Sequence, residues 1–326
     1  MIAYIIKRIL LVIPIVLGVT LILFVLMSIL AGSTIGFMPI DGGGDALDSV
    51  FSFFNANANL FTRYLRYCYD VFVKFDLGRA SLTRIPLSFE MSYRIKNTII
   101  LLVTSVVATL LVGIPVGVYS AIHKNRLGDR IVSVVTLILS SIPPYTVALC
   151  IALFFALQLR LVPVISSYKS PVAFFMPSLT IWLGGISTIA RMTRTSMLEV
   201  LEQPYIKALR AKGLKESSVI YRHALKNALV PILSVLGGLV AHLLTGAFVV
   251  EHFFNIPGLG SYILRSVSSR SHTELLSCTV MLTIMLTILN IIIDILYMLV
   301  NPQIRRSYAK KRLSKMPNGG AEKEVA

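Results

Sequence analysis

Charge is what this chain has least of. Only 14% of its 326 residues are Asp, Glu, Lys or Arg, and the acids are scarcer still, 15 against 31 Lys and Arg. A soluble globular domain carries about 25% charged residues. The three cysteines, Cys68, Cys150 and Cys278, are widely spaced, with no CxxC pair and no paired His, so neither a disulfide framework nor a zinc site is encoded. No GxxxxGK[ST] phosphate loop occurs, which leaves the chain without a cradle for ATP. HExxH and GxSxG are missing too, so the chain carries no signature of a zinc protease or a serine hydrolase. Energy for any work must therefore come from a partner or a gradient.

What is present is apolar. Hydrophobic side chains make up 56% of the sequence, above the usual ~45–50%. A hydrocarbon core about 30 Å thick takes about 20 helical residues to cross. Six runs reach that length almost free of charge: Ile9 to Ile40, Asn97 to Ile122, Ile131 to Leu159, Ser170 to Ala190, Asn227 to Val250, and Leu275 to Ile304, the last interrupted only by Asp294. They predict an all-α polytopic membrane protein with six transmembrane helices, near 9–31, 98–122, 131–157, 172–191, 228–250 and 276–300. Pro14, Pro115 and Pro143-Pro144 fall inside these runs, where membrane helices tolerate breaks if neighbours satisfy the freed carbonyls. The first run is about twice the length of a signal-peptide core and is read as a retained anchor.

The net charge of +16 first suggests a nucleic-acid partner, but its distribution argues otherwise. With the N-terminus inside, the pieces 1–8, 123–130, 191–226 and 305–326 hold +14, whereas 32–96, 160–169 and 251–274 hold +3. Lys and Arg bias of that kind sets membrane orientation and predicts both termini in the cytoplasm. The basic tail RRSYAKKRLSK from Arg305 suits an anionic membrane surface, and no aromatic stacking platform interleaves it. Four parts follow: residues 1–31 as N-terminal segment and first helix, 32–96 as an extracytoplasmic loop, 97–304 as a five-helix core with a cytoplasmic loop at 192–226, and 305–326 as a basic cytoplasmic tail. The loop 32–96 opens on Gly42-Gly43-Gly44 and then carries aromatics from Phe51 to Phe72, which are expected to pack on the membrane helices.

Polar residues inside the spans are few. Asn290 and Asp294, four apart, share a helix face, and an intramembrane acid must face the bundle interior or a watery cavity. Either a pathway site or an interhelical hydrogen bond fits them. For His242 a satisfied polar contact is expected. Gly113-x-x-x-Gly117 permits close helix approach.

The cytoplasmic loop is the most informative stretch. Pro204 suits a first helical turn and Gly213 a left-handed cap, predicting a short helix over about Tyr205 to Lys212. A second helix starts near Glu216-Ser217. Tyr205, Ala208, Leu209 and Ala211 form a small apolar surface framed by Lys207, Arg210 and Lys212, as in a solvated helix or one that docks in a partner's groove. The order of residues in YIKALRAKG at 205–213 and RHALKNALVP at 222–231 resembles the coupling loop of binding-protein-dependent ABC importer permeases. Arg210-Ala211-Lys212-Gly213 is similar to the form found in the dipeptide, oligopeptide, nickel and glutathione branch. Leu209 stands where a small residue is usual, and Lys226 replaces the wider family's proline.

The resemblance continues through Tyr4-x-x-Lys7-Arg8, Phe75-Asp76-Leu77-Gly78, Arg94-x-x-Asn97-Thr98, Ser141-Ile142-Pro143-Pro144, Val250-Glu251, Ile256-Pro257-Gly258-Leu259-Gly260, Asn290-x-x-x-Asp294-x-x-Tyr297 and Asn301-Pro302-x-Ile304-Arg305. Ser271 departs from a common acid. The resemblance implies a type I ABC importer permease fold in the bacterial cytoplasmic membrane. It also implies a non-catalytic subunit, without a cofactor of its own, that works with a homologous permease, two ATPase subunits and an extracytoplasmic substrate-binding protein. ATP and Mg would be held by the partners. Tyr205, Ala208, Arg210, Ala211, Lys212 and Gly213 would couple to the ATPase. Peptides are the cargo expected, with nickel chelates and glutathione open, and a gradient-driven secondary transporter using Asp294 is the alternative from another class.

Overall fold

The computed structural model describes residues 2–34, 60–80, 83–161 and 171–300, and helices account for nearly all of them. The tail and the glycine stretch of the first loop lie outside the described residues. α1 (Ile2–Thr34) passes through Pro14 without breaking and packs along the final helix, α10 (His272–Val300). α2 (Leu60–Phe72) lies in the long first loop and rests on α1. There the Tyr64 hydroxyl donates to the Leu17 carbonyl at 2.7 Å, and Phe24 meets the rings of Tyr64 and Tyr67. Of those aromatics Tyr64 and Tyr67 are buried in that packing, Phe61 and Tyr69 are exposed, and Phe51, Phe53 and Phe54 lie outside the described residues. Burial among these groups raises the Tyr64 phenol to about 12.

α3 (Leu87–Ile122) starts eleven residues before the predicted span. Charge-free length marks what lies in hydrocarbon, whereas the helix itself continues through Glu90 and Arg94, which pair with each other one turn apart. α6 (Phe175–Leu201) likewise runs on through residues predicted as loop from 192, so the cytoplasmic segment begins as rigid helix. The predicted single helix over 131–157 is two: α4 (Leu127–Ser141) and α5 (Pro144–Ile151), which continues to Gln158 with wider π-helical turns. They meet at 105° across Ile142-Pro143, because neither Pro143 nor Pro144 has an N–H for the ladder. Among the described residues five helices are long and apolar enough to span a membrane, and six if the bent α4–α5 pair is counted as one span.

The bundle is organised around α3, α6 and α8 (Leu225–Phe253), with α3 on α6 the most extensive contact. Small residues form that seam. A methyl on Gly117 would lie 2.5 Å from the Ala190 carbonyl, and one on Gly113 would lie 2.9 Å from Ile189 Cγ2, so the Gly113-x-x-x-Gly117 spacing does let α6 approach. The short helices α7 (Pro204–Ala211) and α9 (Leu259–Ser268) lie beyond opposite ends of α8.

Candidate functional site

The predicted coupling segment forms a structured cap on one end of the bundle. α7 begins at Pro204 and ends at Ala211, followed by Lys212 and then Gly213 at φ +78°. Gly213 N–H donates to the Arg210 carbonyl at 2.9 Å and Leu214 N–H to the Leu209 carbonyl at 3.4 Å, the paired bonds of a Schellman cap. A left-handed residue is required at that point, and glycine adopts it without strain. The chain then turns into Glu216 and a π-helical stretch, Ser218–Ala224, that merges with α8.

One face of α7 is anchored and the other is open. Ile206, absent from the predicted apolar surface, is fully buried against Val219, Ala224, Met197 and Val118, so α7 is seated on the ends of α3, α6 and α8. Leu209 and Leu214 add to this cluster. Leu209 therefore faces inward, which accounts for a large residue where a small one is usual. Tyr205, Ala208, Arg210, Ala211, Lys212 and Gly213 are exposed, with Ala208, Ala211 and Lys212 turned away from Ile206, and with Arg210, one turn after Ile206, on its side of the helix. Arg210 has an internal task as well: its guanidinium grips Glu216 across the Gly213 turn, Nη2 to Oε1 at 2.6 Å and Nε to Oε2 at 3.1 Å. That bidentate pair holds the Glu216 carboxyl below its ordinary range and raises Arg210. Asn227 donates from Nδ2 to the Tyr205 hydroxyl at 2.7 Å, joining α7 to the first turn of α8.

Sequence reasoning missed a second polar assembly beside this cap. Asp129, buried at the start of α4, accepts from Arg194 of α6 at 2.6 and 2.8 Å, from Ser120 of α3 at 2.5 Å and from the Asn125 backbone at 2.9 Å. Three helices are tied by one carboxylate. Lys124 pairs with Glu202 at 3.0 Å close by. Nothing in the local pattern of Asp129 separates it from an ordinary helix-start acid; only its placement against Arg194, 65 positions on, does so.

At the opposite end of α8, motif fragments far apart in sequence meet. Glu251 is fully buried, and its carboxylate accepts from Thr98 Oγ1 at 2.6 Å and from the Ser261 backbone N–H at 3.0 Å, at the N-terminus of α9. Thr98 Oγ1 in turn accepts from Leu259 N–H at 2.9 Å, and Asn97 Nδ2 donates to the Pro257 carbonyl at 2.9 Å. A side chain on Gly258 would overlap the Glu251 carboxylate, so glycine is needed there. Arg94 pairs with Glu90 at 2.7 Å and lies 4.0 Å from the Tyr262 ring centroid. From the first loop, Leu77 offers its carbonyl to Ser277 Oγ at 2.8 Å, and Gly78, at φ +83°, passes close to Thr273. The fragments at 94–98, 250–251 and 256–260 thus build one junction, and that at 75–78 is held to α10 at Thr273 and Ser277.

The two intramembrane polar residues lie one turn apart on α10. Asn290 lies against α8, its Oδ1 being 3.2 Å from where a methyl on Gly237 would sit, and Asp294 is partly buried one turn further. His242 lies beside Pro144, Thr180 and Gly246 at a cavity of about 30 Å³, close to the α4–α5 bend. Among the described residues no group of three or more His, Cys, Asp or Glu is arranged to hold a metal ion.

The comparisons with known proteins agree on one kind of molecule. The model of the family described as binding-protein-dependent transport system inner membrane component matches residues 113–306. The chain is 32% identical over 314 residues to the dipeptide transport system permease protein of Bacillus subtilis (strain 168), covering 93% of this chain and 97% of that protein. It is 29% identical over 306 residues to the glutathione transport system permease protein of Salmonella paratyphi A, covering 94% and 99%. Among solved structures, the MetNI methionine ABC transporter in inward-facing conformations is similar at a TM-score of 0.57 and 18% identity. That match covers 66% of this chain and 98% of the other, and shows a shared fold.

Proposed function

Because the chain belongs to the family of binding-protein-dependent transport system inner membrane components, as a multi-pass permease subunit of the dipeptide and glutathione importer type in the bacterial inner membrane, we propose that it passes peptides and couples to ATPase subunits through residues 204–226. The observation that carries the coupling is the two-sided build of α7. Ile206 locks it to three membrane helices while Tyr205, Ala208, Ala211 and Lys212 stay open on the other side. A docking helix needs both properties: a surface that fits a groove, and a stiff connection through which displacement is passed on.

In this reading the Arg- and Lys-rich end faces the cytoplasm, with both termini on that side. Two partner ATPases hold the ATP and Mg and close around their nucleotides. The motion enters at α7, is carried by the Ile206 cluster and the Arg210–Glu216 brace, and reaches α6 and α8 directly. Asp129 and Arg194 extend it to α3 and α4. A homologous permease completes the pathway. A binding protein delivers cargo at the other end.

The test is uptake into proteoliposomes holding the chain with its companion permease and ATPases, driven by ATP and fed by the binding protein. Gly213→Pro and Arg210→Glu should abolish uptake while insertion and folding persist, because proline cannot adopt φ +78° and a second acid would repel Glu216. Normal uptake in both variants removes the coupling assignment, and uptake that needs a proton gradient but no ATPase overturns the whole reading. A binding protein that captures glutathione or nickel chelates in preference to peptides would overturn the cargo.

A further inference from the structure

The turn between α3 and α4 carries a cleft that the coupling cap does not use. It is an open cavity of about 600 Å³ lined by Tyr119, His123, Arg126, Leu127, Gly128 and Arg130. The ring of His123 meets that of Tyr119, tilted by 38° with centroids 4.4 Å apart, and forms one wall. Gly128 lets that wall come close, since a methyl there would sit 2.7 Å from the Tyr119 hydroxyl oxygen. Arg126 and Arg130 stand one helical turn apart, both exposed, and form no ion pair among the described residues. The acids nearby are already engaged: Asp129 is turned inward onto Arg194, and Glu202 holds Lys124. The cleft therefore carries positive charge that nothing in this part of the chain neutralises.

Its surroundings indicate what does. The cleft lies where α3 ends and α4 begins, at the boundary of two membrane spans. From its rim an apolar strip runs down α4 through Leu127, Ile131, Val134 and Ile138, all more than half exposed. A soluble phosphate compound would have no use for such a strip, and a phospholipid needs both halves. We propose that this cleft binds the headgroup phosphate of an anionic phospholipid between Arg126 and Arg130, with the acyl chains lying along the apolar strip of α4. A lipid held there would brace the α3–α4 turn from the side opposite to the Asp129–Arg194 pair.

Native mass spectrometry of the full chain, released from micelles holding equal amounts of phosphatidylglycerol and phosphatidylcholine, tests this. Phosphatidylglycerol should be retained in preference. Replacing both cations, Arg126→Gln with Arg130→Gln, should lower its retention on the order of tenfold or more and leave phosphatidylcholine unchanged. A charge-matched pair at the same end, Lys215→Gln with Arg222→Gln, should retain it as the parent does. Leu127→Asp, which puts an acid in the rim and leaves both arginines, should also weaken retention and serves if the double variant fails to fold. Equal retention of the two lipids, no change in the cleft variants, or equal loss in the charge-matched pair overturns the site. Displacement by millimolar glycerol phosphate as complete as by phosphatidylglycerol itself would assign the cleft to soluble phosphate and overturn the lipid.

Discussion

Arg210 shows how a residue marked by its motif acquires a different job from its geometry. Its guanidinium is spent on Glu216, six positions on, rather than held out freely. If that brace is its contribution, the single variant Arg210→Glu fails, and exchange of both charges, Arg210→Glu with Glu216→Arg, restores ATP-driven uptake; direct recognition of a partner by Arg210 would leave the exchanged protein inactive. The same pair sets a pH dependence. Glu216 has its folded-state pKa lowered, so its stabilisation is complete above the ordinary carboxylate pKa and fades as pH falls through the lowered value. Amide exchange across 205–216, corrected for intrinsic rates, should hold constant from neutral pH to about pH 5 and speed up only in more acidic solution. Arg194→Ala is the more damaging change nearby. It leaves the buried Asp129 carboxylate short of two donors, a loss of ~1–3 kcal/mol visible as a lower thermal midpoint in detergent.

Among the elements, the α3–α6 seam and the junction around Glu251 are held by different physics. The seam depends on the absence of side chains. Gly117→Ala would push a methyl to 2.5 Å from the Ala190 backbone oxygen, and the helices must separate to admit it, at a cost of ~1–3 kcal/mol that a thermal unfolding scan would register. The junction depends on satisfied polar groups. Glu251→Ala strands the Ser261 N–H and a Thr98 hydroxyl away from water, so a loss of similar size, ~1–3 kcal/mol, is expected by the same scan. Leu259 N–H keeps its bond to Thr98 in that variant, which limits the damage. Both elements were visible in sequence as fragments, GxxxG and VE…IPGLG, but their partners were not. Ile189 and Ala190 carry no mark of facing a glycine, and Thr98 lies 153 positions from the acid it meets.

For the molecule as a whole, the sequence alone determined the solvent, the class and the family. Length and charge scarcity are local properties: a run of about 20 apolar residues must cross hydrocarbon whatever its neighbours do. A turn such as Lys212-Gly213 is equally local, because the left-handed conformation is a property of the glycine itself. Tertiary structure decided everything that needs two distant segments at once. It buried Ile206 as the anchor of the coupling helix and placed Arg194 on Asp129, whereas the break at Ile142-Pro143 is again local to its two prolines. It also gathered three separate motif fragments into the junction at Glu251. The physical reason is that burial and ion pairing are pairwise: their sign for one residue depends on which other residue the fold brings within a few ångströms.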